Sequence, residues 1–298
     1  MAQRSWRDSK KSSPEAGNSA LVKLSAREVR RTLSAQSALH LQGCVVNVAT
    51  LVNFETIAII ACAYFVAAFV KGATGLGFST SALPILALGL GLKSAMPLVI
   101  IPSLVSNAIV MRQAGHFGET IRRFWPMFLA TIPGLLLGLA VLDLIDSLIA
   151  GAILGVVLIG YGAFTLFRPG QPMPDARGRK LAPVSGFLTG LVNGMTGSQV
   201  MPVLPFLLAL RLDPKRFIQA INISFSLSSV IMAMGLAKLG LMTVESIGIS
   251  LLGLIPVYAG TKVGGIVRQR MDAATFRQVV LLMLIAFGVV LVSKTALA

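Results

Sequence analysis

Hydrophobic stretches alternate with short polar connections from about residue 54 to the end of the chain. Ten apolar pieces can be delimited, at residues 57–70, 76–92, 94–110, 124–141, 147–167, 183–193, 199–212, 217–237, 246–266 and 273–292. Almost all charged residues lie between these pieces, as expected when each spanning segment needs about 20 apolar residues. The pattern predicts an all-α polytopic membrane protein.

The pieces fall into two sets of five with matching lengths, which predicts an internal duplication. The segment KGATGLGFSTSALP at residues 71–84 resembles NGMTGSQVMPVLP at residues 193–205. Later pieces also share proline and glycine positions: Pro133, Gly134 and Gly138 resemble Pro256, Gly260 and Gly264, and Gly160 resembles Gly288. Because order, spacing and hydropathy agree, we interpret the chain as two homologous repeats.

The chain is predicted to comprise four regions. Residues 1–50 form a basic, mostly disordered extension, 54–167 the first membrane repeat, 168–180 a polar linker, and 181–294 the second repeat. The extension is explained equally by a solvated tail, by a basic amphipathic helix over residues 25–41, or by a start codon placed too far upstream. The two repeats are treated as one membrane domain.

Each repeat opens with two short pieces separated by glycines, and their path decides the topology. If each pair makes one broken crossing, the chain crosses the membrane about eight times and the repeats are parallel. If each pair forms a hairpin or two crossings, the repeats are inverted. Basic residues of the first repeat favour eight crossings with a cytoplasmic N-terminus. The second repeat opposes this, because it would place these basic residues outside: Arg211, Lys215, Arg216, Arg268 and Arg270.

Composition narrows the functional classes. Apolar residues make up 55% of the chain and charged residues 12%, so a soluble fold is excluded. The net charge of +15 lies in connections and in the N-terminal region, which indicates membrane topology rather than nucleic-acid binding. Cys44 and Cys62 have neither disulfide-framework nor metal-site spacing. No nucleophile and base pair or phosphate loop is present, so we predict neither an enzyme nor a cofactor.

The two glycine-rich breaks are the candidate substrate site. Broken backbone in hydrocarbon costs several kcal/mol per unpaired group, and it is tolerated beside a watery cavity, where free helix N–H groups can hold an anion. The predicted substrate-binding residues are Lys71, Gly72, Thr74, Gly75, Gly77, Ser79, Asn193, Gly194, Thr196, Gly197, Ser198 and Gln199. Close helix packing is the alternative role of the glycines, and snorkelling to an interface that of Lys71.

A polar stripe follows the third piece of each repeat. These predicted pathway-lining residues are Ser103, Ser106 and Asn107 in one repeat, and Gln219, Asn222, Ser226 and Ser229 in the other. Hydrogen bonding between helices is the alternative explanation. Every carboxylate of the hydrophobic part falls near a segment end, so a carboxylate proton relay in mid-membrane is not expected.

The repeated breaks, GATGLGFSTSALP and NGMTGSQVMPVLP, resemble those of the TauE/SafE sulfite-exporter family over residues 54–294. The resemblance implies a membrane transporter, in a family associated with export of sulfite, sulfonates and related organic anions. Its motif residues map onto Gly72, Gly75, Gly77 and Pro84, and onto Gly194, Gly197 and Pro205. The sequence departs from the fuller glycine runs of the family, because Thr74 and Leu76 interrupt the first run and Ser198 and Gln199 replace glycines in the second.

Together these features predict a secondary transporter or facilitator that exports a small anion across the cytoplasmic membrane. Sulfite, a sulfonate, another sulfur-containing organic anion or a carboxylate are the candidate substrates. Two alternatives remain open at this point: a membrane scaffold or assembly partner that carries no substrate, and a cation or metal permease. The sequence leaves the oligomeric state undetermined.

Overall fold

All regular structure among the described residues is α-helical. The computed structural model describes residues 54–74, 77–167, 172–268 and 273–297. The helices are α1 (Phe54–Thr74), α2 (Phe78–Leu90), α3 (Leu92–Ala114), α4 (Phe117–Leu144), α5 (Ser147–Phe167), α6 (Asp175–Thr196), α7 (Val203–Ala209), α8 (Pro214–Lys238), α9 (Val244–Leu252), α10 (Leu254–Arg268) and α11 (Ala273–Ala296). Six helical stretches of the described chain are long and apolar enough to cross a membrane, which confirms an all-α, multi-pass membrane protein. Residues 1–50 lie outside the described residues.

The opening pair of each repeat is a long helix followed by a short one, not two short helices as predicted. Helix α1 has 21 residues and α6 has 22, whereas α2 has 13 and α7 has 7. Helix α6 begins at Asp175, inside the segment predicted to be a linker. The extended Pro174 precedes it, and the Asp175 carboxylate in the first turn interacts favourably with the positive end of the helix dipole. Hydropathy missed this start because the first turns of α6 are polar.

Helices α1 and α2 form a hairpin. A Cβ atom built on Gly89, near the end of α2, would lie 3.3 Å from Cγ2 of Ile59, near the start of α1. A continuous helix would instead separate residues 59 and 89 by about 45 Å. In the second repeat, the amide of Met173, before α6, donates to the carbonyl of Ala209, at the end of α7. The interpretation of each pair as one broken crossing, on which eight crossings depended, is thus corrected.

Helices of one repeat pack against helices of the other through backbone-to-backbone contacts. Helix α1 packs on α10, where a Cβ at Gly264 would lie 2.1 Å from the carbonyl oxygen of Phe69. Helix α6 packs on α4, where a Cβ at Gly138 would lie 2.3 Å from the carbonyl oxygen of Leu191. The pairs match across the repeats: Gly260 with Phe65 corresponds to Gly134 with Phe187, and Gly72 with Thr261 to Gly194 with Leu135. Matched contacts of this kind support a duplication.

Equivalent helices of the two repeats run antiparallel where they meet. Thr295, at the end of α11, donates to the carbonyl of Leu148, at the start of α5. In the middle of this pair, a Cβ on Gly155 would lie 2.6 Å from the oxygen of Gly288, and a Cβ on Gly288 equally close to that of Gly155. Gly155 is therefore the counterpart of Gly288, in place of the predicted Gly160. Antiparallel equivalents are the geometry of inverted repeats, not of the parallel ones predicted.

Basic residues gather at one end of the helical unit. Arg123 Nη2 lies 2.8 Å from Asp175 Oδ1, and Arg216 Nη2 lies 3.2 Å from Glu119 Oε1, so α4, α6 and α8 all begin there. The basic residues of this end are Arg112, Arg122, Arg123, Arg177, Arg179, Lys180, Arg211, Lys215 and Arg216. The opposite end carries residues of both signs: Glu55, Lys93, Asp143, Asp146, Lys238, Glu245 and Lys294. The described helices are thus strongly polarised in charge from one end to the other.

Candidate functional site: a buried lysine between the two repeats

A small polar cavity lies where the two repeats meet. Its lining combines one cation, hydroxyls, amides and two aromatic rings, without a carboxylate: Lys71, Gly77, Phe78, Ser79, Thr80, Ser103, Asn107, Gln199, Asn222 and Phe225. The cavity volume is about 10 Å³, which is room for a single water molecule. The arrangement is therefore an almost closed chamber to which both repeats contribute.

Lys71 is the only charged residue of this lining. The side chain is 5% exposed, and Nζ donates to Ser106 Oγ at 2.8 Å and to Asn107 Oδ1 at 2.7 Å. Both partners are neutral, and no carboxylate in the described part of the chain forms an ion pair with Lys71. The lysine lies in the last turn of α1, where the helix dipole favours a cation. Snorkelling to an interface is excluded for this side chain by its burial.

The N-terminus of α2 faces the same cavity. Gly77 caps this helix in the left-handed conformation, with φ of 90°, and provides no side chain to bind the first N–H groups. Ser79, in the first turn, shares a hydrogen bond of 2.5 Å with Ser103 of α3. The positive end of the α2 dipole and the Lys71 ammonium therefore both act on the chamber.

The second repeat contributes amides. Gln199 Nε2 donates to Ser229 Oγ at 3.0 Å, and Asn222 Nδ2 donates to the carbonyl of Ile218 at 2.8 Å. This leaves Asn222 Oδ1 buried without a hydrogen-bond partner in the described chain. The predicted pathway residues Ser103, Asn107 and Asn222 therefore line the cavity, while Ser106 and Ser229 lie behind it as hydrogen-bond partners.

Several predicted substrate-binding glycines lie in close helix contacts and not in the cavity lining. The Cα atoms of Gly72 and Gly194 meet backbone of the neighbouring helix, with a built Cβ 2.3 Å from Thr261 O and 2.5 Å from Leu135 O. The αL residue Gly197 ends α6 against Leu83 and Met96 of the first repeat. Helix-packing glycines and binding-site glycines look alike in a sequence, so their surroundings become visible only in the structure. Gly75 lies outside the described residues.

Other predicted residues are engaged within their own surroundings. Thr74 and Thr196 each donate to the carbonyl four residues earlier, Val70 and Val192. With its side-chain amide turned to donate, the amide nitrogen of Gln219 lies 2.9 Å from the carbonyl oxygen of Gly115, away from the cavity. Buried hydroxyl or amide atoms without a hydrogen-bond partner in the described chain remain on Asn193, Ser198 and Ser226.

Sequence reasoning missed the two rings of the lining, Phe78 and Phe225. Aromatic residues are common in any apolar helix, so they gave no signal by themselves. Their neighbours in the sequence gave a signal. Phe78 follows the glycine break, and Phe225 follows Asn222 by three residues, on the same helix face. The stripe on α8 also extends through Ser224 and Ser228, which are buried beside the predicted positions.

Comparison with families of known proteins gives a match over most of the chain. The model of the family described as Sulfite exporter TauE/SafE matches residues 60–291, which is more than half of the 298-residue chain. No curated protein and no solved structure matches the chain. The match includes most of both repeats and every residue that lines the cavity.

Proposed function

Because the chain belongs to the TauE/SafE sulfite exporter family, a family of membrane transporters and not of enzymes, we propose that it exports a small anion. Sulfite, a sulfonate or a related carboxylate moves from the cytoplasm through the cavity between the repeats. The substrate carries one or two negative charges and several oxygen acceptors, because the cavity presents an ammonium group, hydroxyls and amide donors.

The burial of Lys71 between neutral hydrogen-bond partners is the observation that carries this proposal. A buried cation costs several kcal/mol unless a counter-charge is near, and both partners of Lys71 are neutral. A bound anion supplies that counter-charge, and the N–H groups at the start of α2 add hydrogen bonds to it. A scaffold has no need for an ammonium in an internal chamber, and a cation permease would be opposed by it.

The basic end of the helical unit faces the cytoplasm in this proposal. The positive-inside rule places short loops rich in Lys and Arg on that side, and here the basic loops of both repeats share one end. Three of the basic residues that conflicted with the parallel interpretation, Arg211, Lys215 and Arg216, then lie on the cytoplasmic side. Phe54, at the start of α1, then lies at the outer face, which reverses the expected cytoplasmic entry of α1.

This orientation suits export. Basic side chains around the cytoplasmic end raise the local concentration of anions there. An inside-negative potential favours outward movement of a monovalent anion by about 2.3 kcal/mol per 100 mV. With a chamber of about 10 Å³, the conformation is closed around its centre, so the anion enters only when α3 and α8 separate. Inverted repeats provide two equivalent ways to open, one towards each side.

Flux from proteoliposomes tests the proposed function. We expect proteoliposomes containing the purified protein to release preloaded sulfite or sulfoacetate faster than protein-free liposomes loaded in the same way. A potassium diffusion potential that makes the lumen negative should increase the rate further. Simple carboxylates, measured in the same way, define the substrate class. If none of these anions moves faster than in protein-free liposomes, and the potential changes nothing, anion export is wrong and a scaffold is favoured.

Cysteine labelling tests the orientation. We expect a membrane-impermeant maleimide, added to intact cells, to label a cysteine introduced at Glu245 and not one introduced at Lys215, in a chain with Cys44 and Cys62 replaced by serine. The reason is that Lys215 belongs to the basic, cytoplasmic end. Permeabilised cells provide the control, because both positions are exposed there to the reagent. Labelling of Lys215→Cys in intact cells would reverse the orientation and with it the argument for export.

A further inference from the structure

The second repeat holds several buried polar atoms without hydrogen-bond partners in the described chain. Asn193 is 0% exposed, and neither its Oδ1 nor its Nδ2 has a hydrogen-bond partner in the described chain. The hydroxyls of Ser198 and Ser228, also 0% exposed, lack partners there as well. A buried polar group left unsatisfied costs about 1–3 kcal/mol, so this concentration of them requires an explanation.

Asn193 occupies the position in the second repeat that Lys71 occupies in the first. Gly72 and Gly194 make matching contacts with the carbonyls of Thr261 and Leu135, which makes Asn193 the counterpart of Lys71. The same spacing along the chain relates Ser106 to Ser228, and Asn107 to Ser229. The first repeat thus places Nζ between Ser106 and Asn107, while the matching positions of the second repeat hold the neutral side chains of Asn193, Ser228 and Ser229.

The helix end in the second repeat also favours a positive charge. Helix α6 ends at Thr196, and Gly197 terminates it in the left-handed conformation with φ of 72°. The last carbonyls of a helix form the negative end of its dipole, and broken helices in transporters bind cations there. Lys71 exploits the same location at the end of α1. Asn193 and Ser198 flank the corresponding end of α6.

We infer that a monovalent alkali cation binds among Asn193 Oδ1, Ser198 Oγ and Ser228 Oγ, as the counterpart of the Lys71 ammonium. Neutral amide and hydroxyl oxygens suit a hard, singly charged ion, whereas divalent ions in proteins usually require carboxylates. The anion in the chamber then lies between two positive charges, one tethered and one bound. The inference deepens the proposed function, but the binding of the cation is measurable without any anion.

Thermal unfolding of the full chain, purified in detergent at constant ionic strength, tests the site with sodium, lithium, potassium and choline chloride. We expect one of the alkali ions to raise the Tm of the wild-type protein by about 5 °C over choline when present at roughly 100 times its Kd. Ser228→Ala should lose most of this shift. Asn193→Lys should abolish it, because the introduced ammonium occupies the cation position and restores the arrangement of the first repeat.

Ser185→Ala is the matched control. Ser185 is buried on α6 and also lacks a hydrogen-bond partner in the described chain, but it lies two turns before Asn193. The variant should keep the full cation-dependent shift. The inference is overturned if no alkali ion stabilises the wild-type protein more than choline, as expected if water alone fills the site. It is also overturned if Asn193→Lys keeps the shift. Neither result bears on anion flux, so the proposed function stands or falls separately.

Discussion

Replacing Lys71 by methionine is expected to slow anion flux about 100-fold while leaving the protein folded. The variant keeps an unbranched side chain of similar length but removes the only cation of the cavity lining. Loss of one partner from a buried charge pair usually costs about 2–5 kcal/mol, which accounts for a reduction of this size. Flux of sulfite or sulfoacetate from proteoliposomes, at a fixed imposed potential, is the measurement.

The folded state should tolerate this substitution. Exchanging a buried charge for an apolar side chain of similar volume is often neutral or stabilising, so the Tm in detergent should change little. Lys238→Met is the matched control, because Lys238 is an exposed lysine at the last residue of α8, at the end of the helical unit away from the basic loops. Flux that is equal in the two variants would remove Lys71 from the transport mechanism.

Replacing Gly264 by alanine is expected to prevent stable folding. The added methyl group would lie 2.1 Å from the carbonyl oxygen of Phe69 and 3.0 Å from the amide nitrogen of Ala73, so α1 and α10 would have to separate. Overpacking against backbone costs about 3 kcal/mol or more, since backbone cannot rotate away as a side chain does. The yield of monodisperse protein and its Tm measure the effect.

The adjacent glycine is a matched control for this prediction. A Cβ at Gly265 meets nothing within 4 Å, although both residues lie in the same helix. Gly265→Ala should therefore be stable, and slightly more so than the wild type, because alanine is favoured over glycine in a helix by about 0.5–1 kcal/mol. Similar behaviour of the two variants would contradict the close contact of α1 with α10.

The sequence predicted the helical pieces, their duplication and most of the cavity. Lys71 and Gln199 were predicted as site residues because they lie next to a helix break. Polar residues within a membrane are costly and usually have a function. Asn107 and Asn222 were identified because their helices carry a polar stripe. Each inference used local chemistry, which survives whatever the arrangement of the helices.

The direction of the helices was not predictable in the same way. Hydropathy has no sign along the chain, so the return of α2 beside Ile59 and of α7 beside Met173 left no trace in it. The charge pattern did contain the answer. The parallel interpretation places basic residues of the second repeat, such as Arg211 and Arg216, outside the membrane, against the positive-inside rule. This inconsistency was evidence for inverted repeats.

The roles of the motif glycines also required the structure. Gly77 faces the cavity, whereas Gly72, in the same motif, fits between α1 and α10. The two differ in what surrounds them and in backbone conformation, because Gly77 is left-handed and Gly72 is helical. A better register was available for the last helices, since GVVL occurs at residues 155–158 and again at 288–291, and these are the segments that cross at Gly155 and Gly288.

Calorimetric titration of the purified protein with sulfoacetate tests the central claim most directly. That claim is that the chamber around Lys71 is the anion site. We predict saturable binding by the wild-type protein and by Lys238→Met, and an affinity at least about 100-fold weaker, or no measurable binding, for Lys71→Met. Binding by Lys71→Met with the affinity of the wild type would contradict the claim.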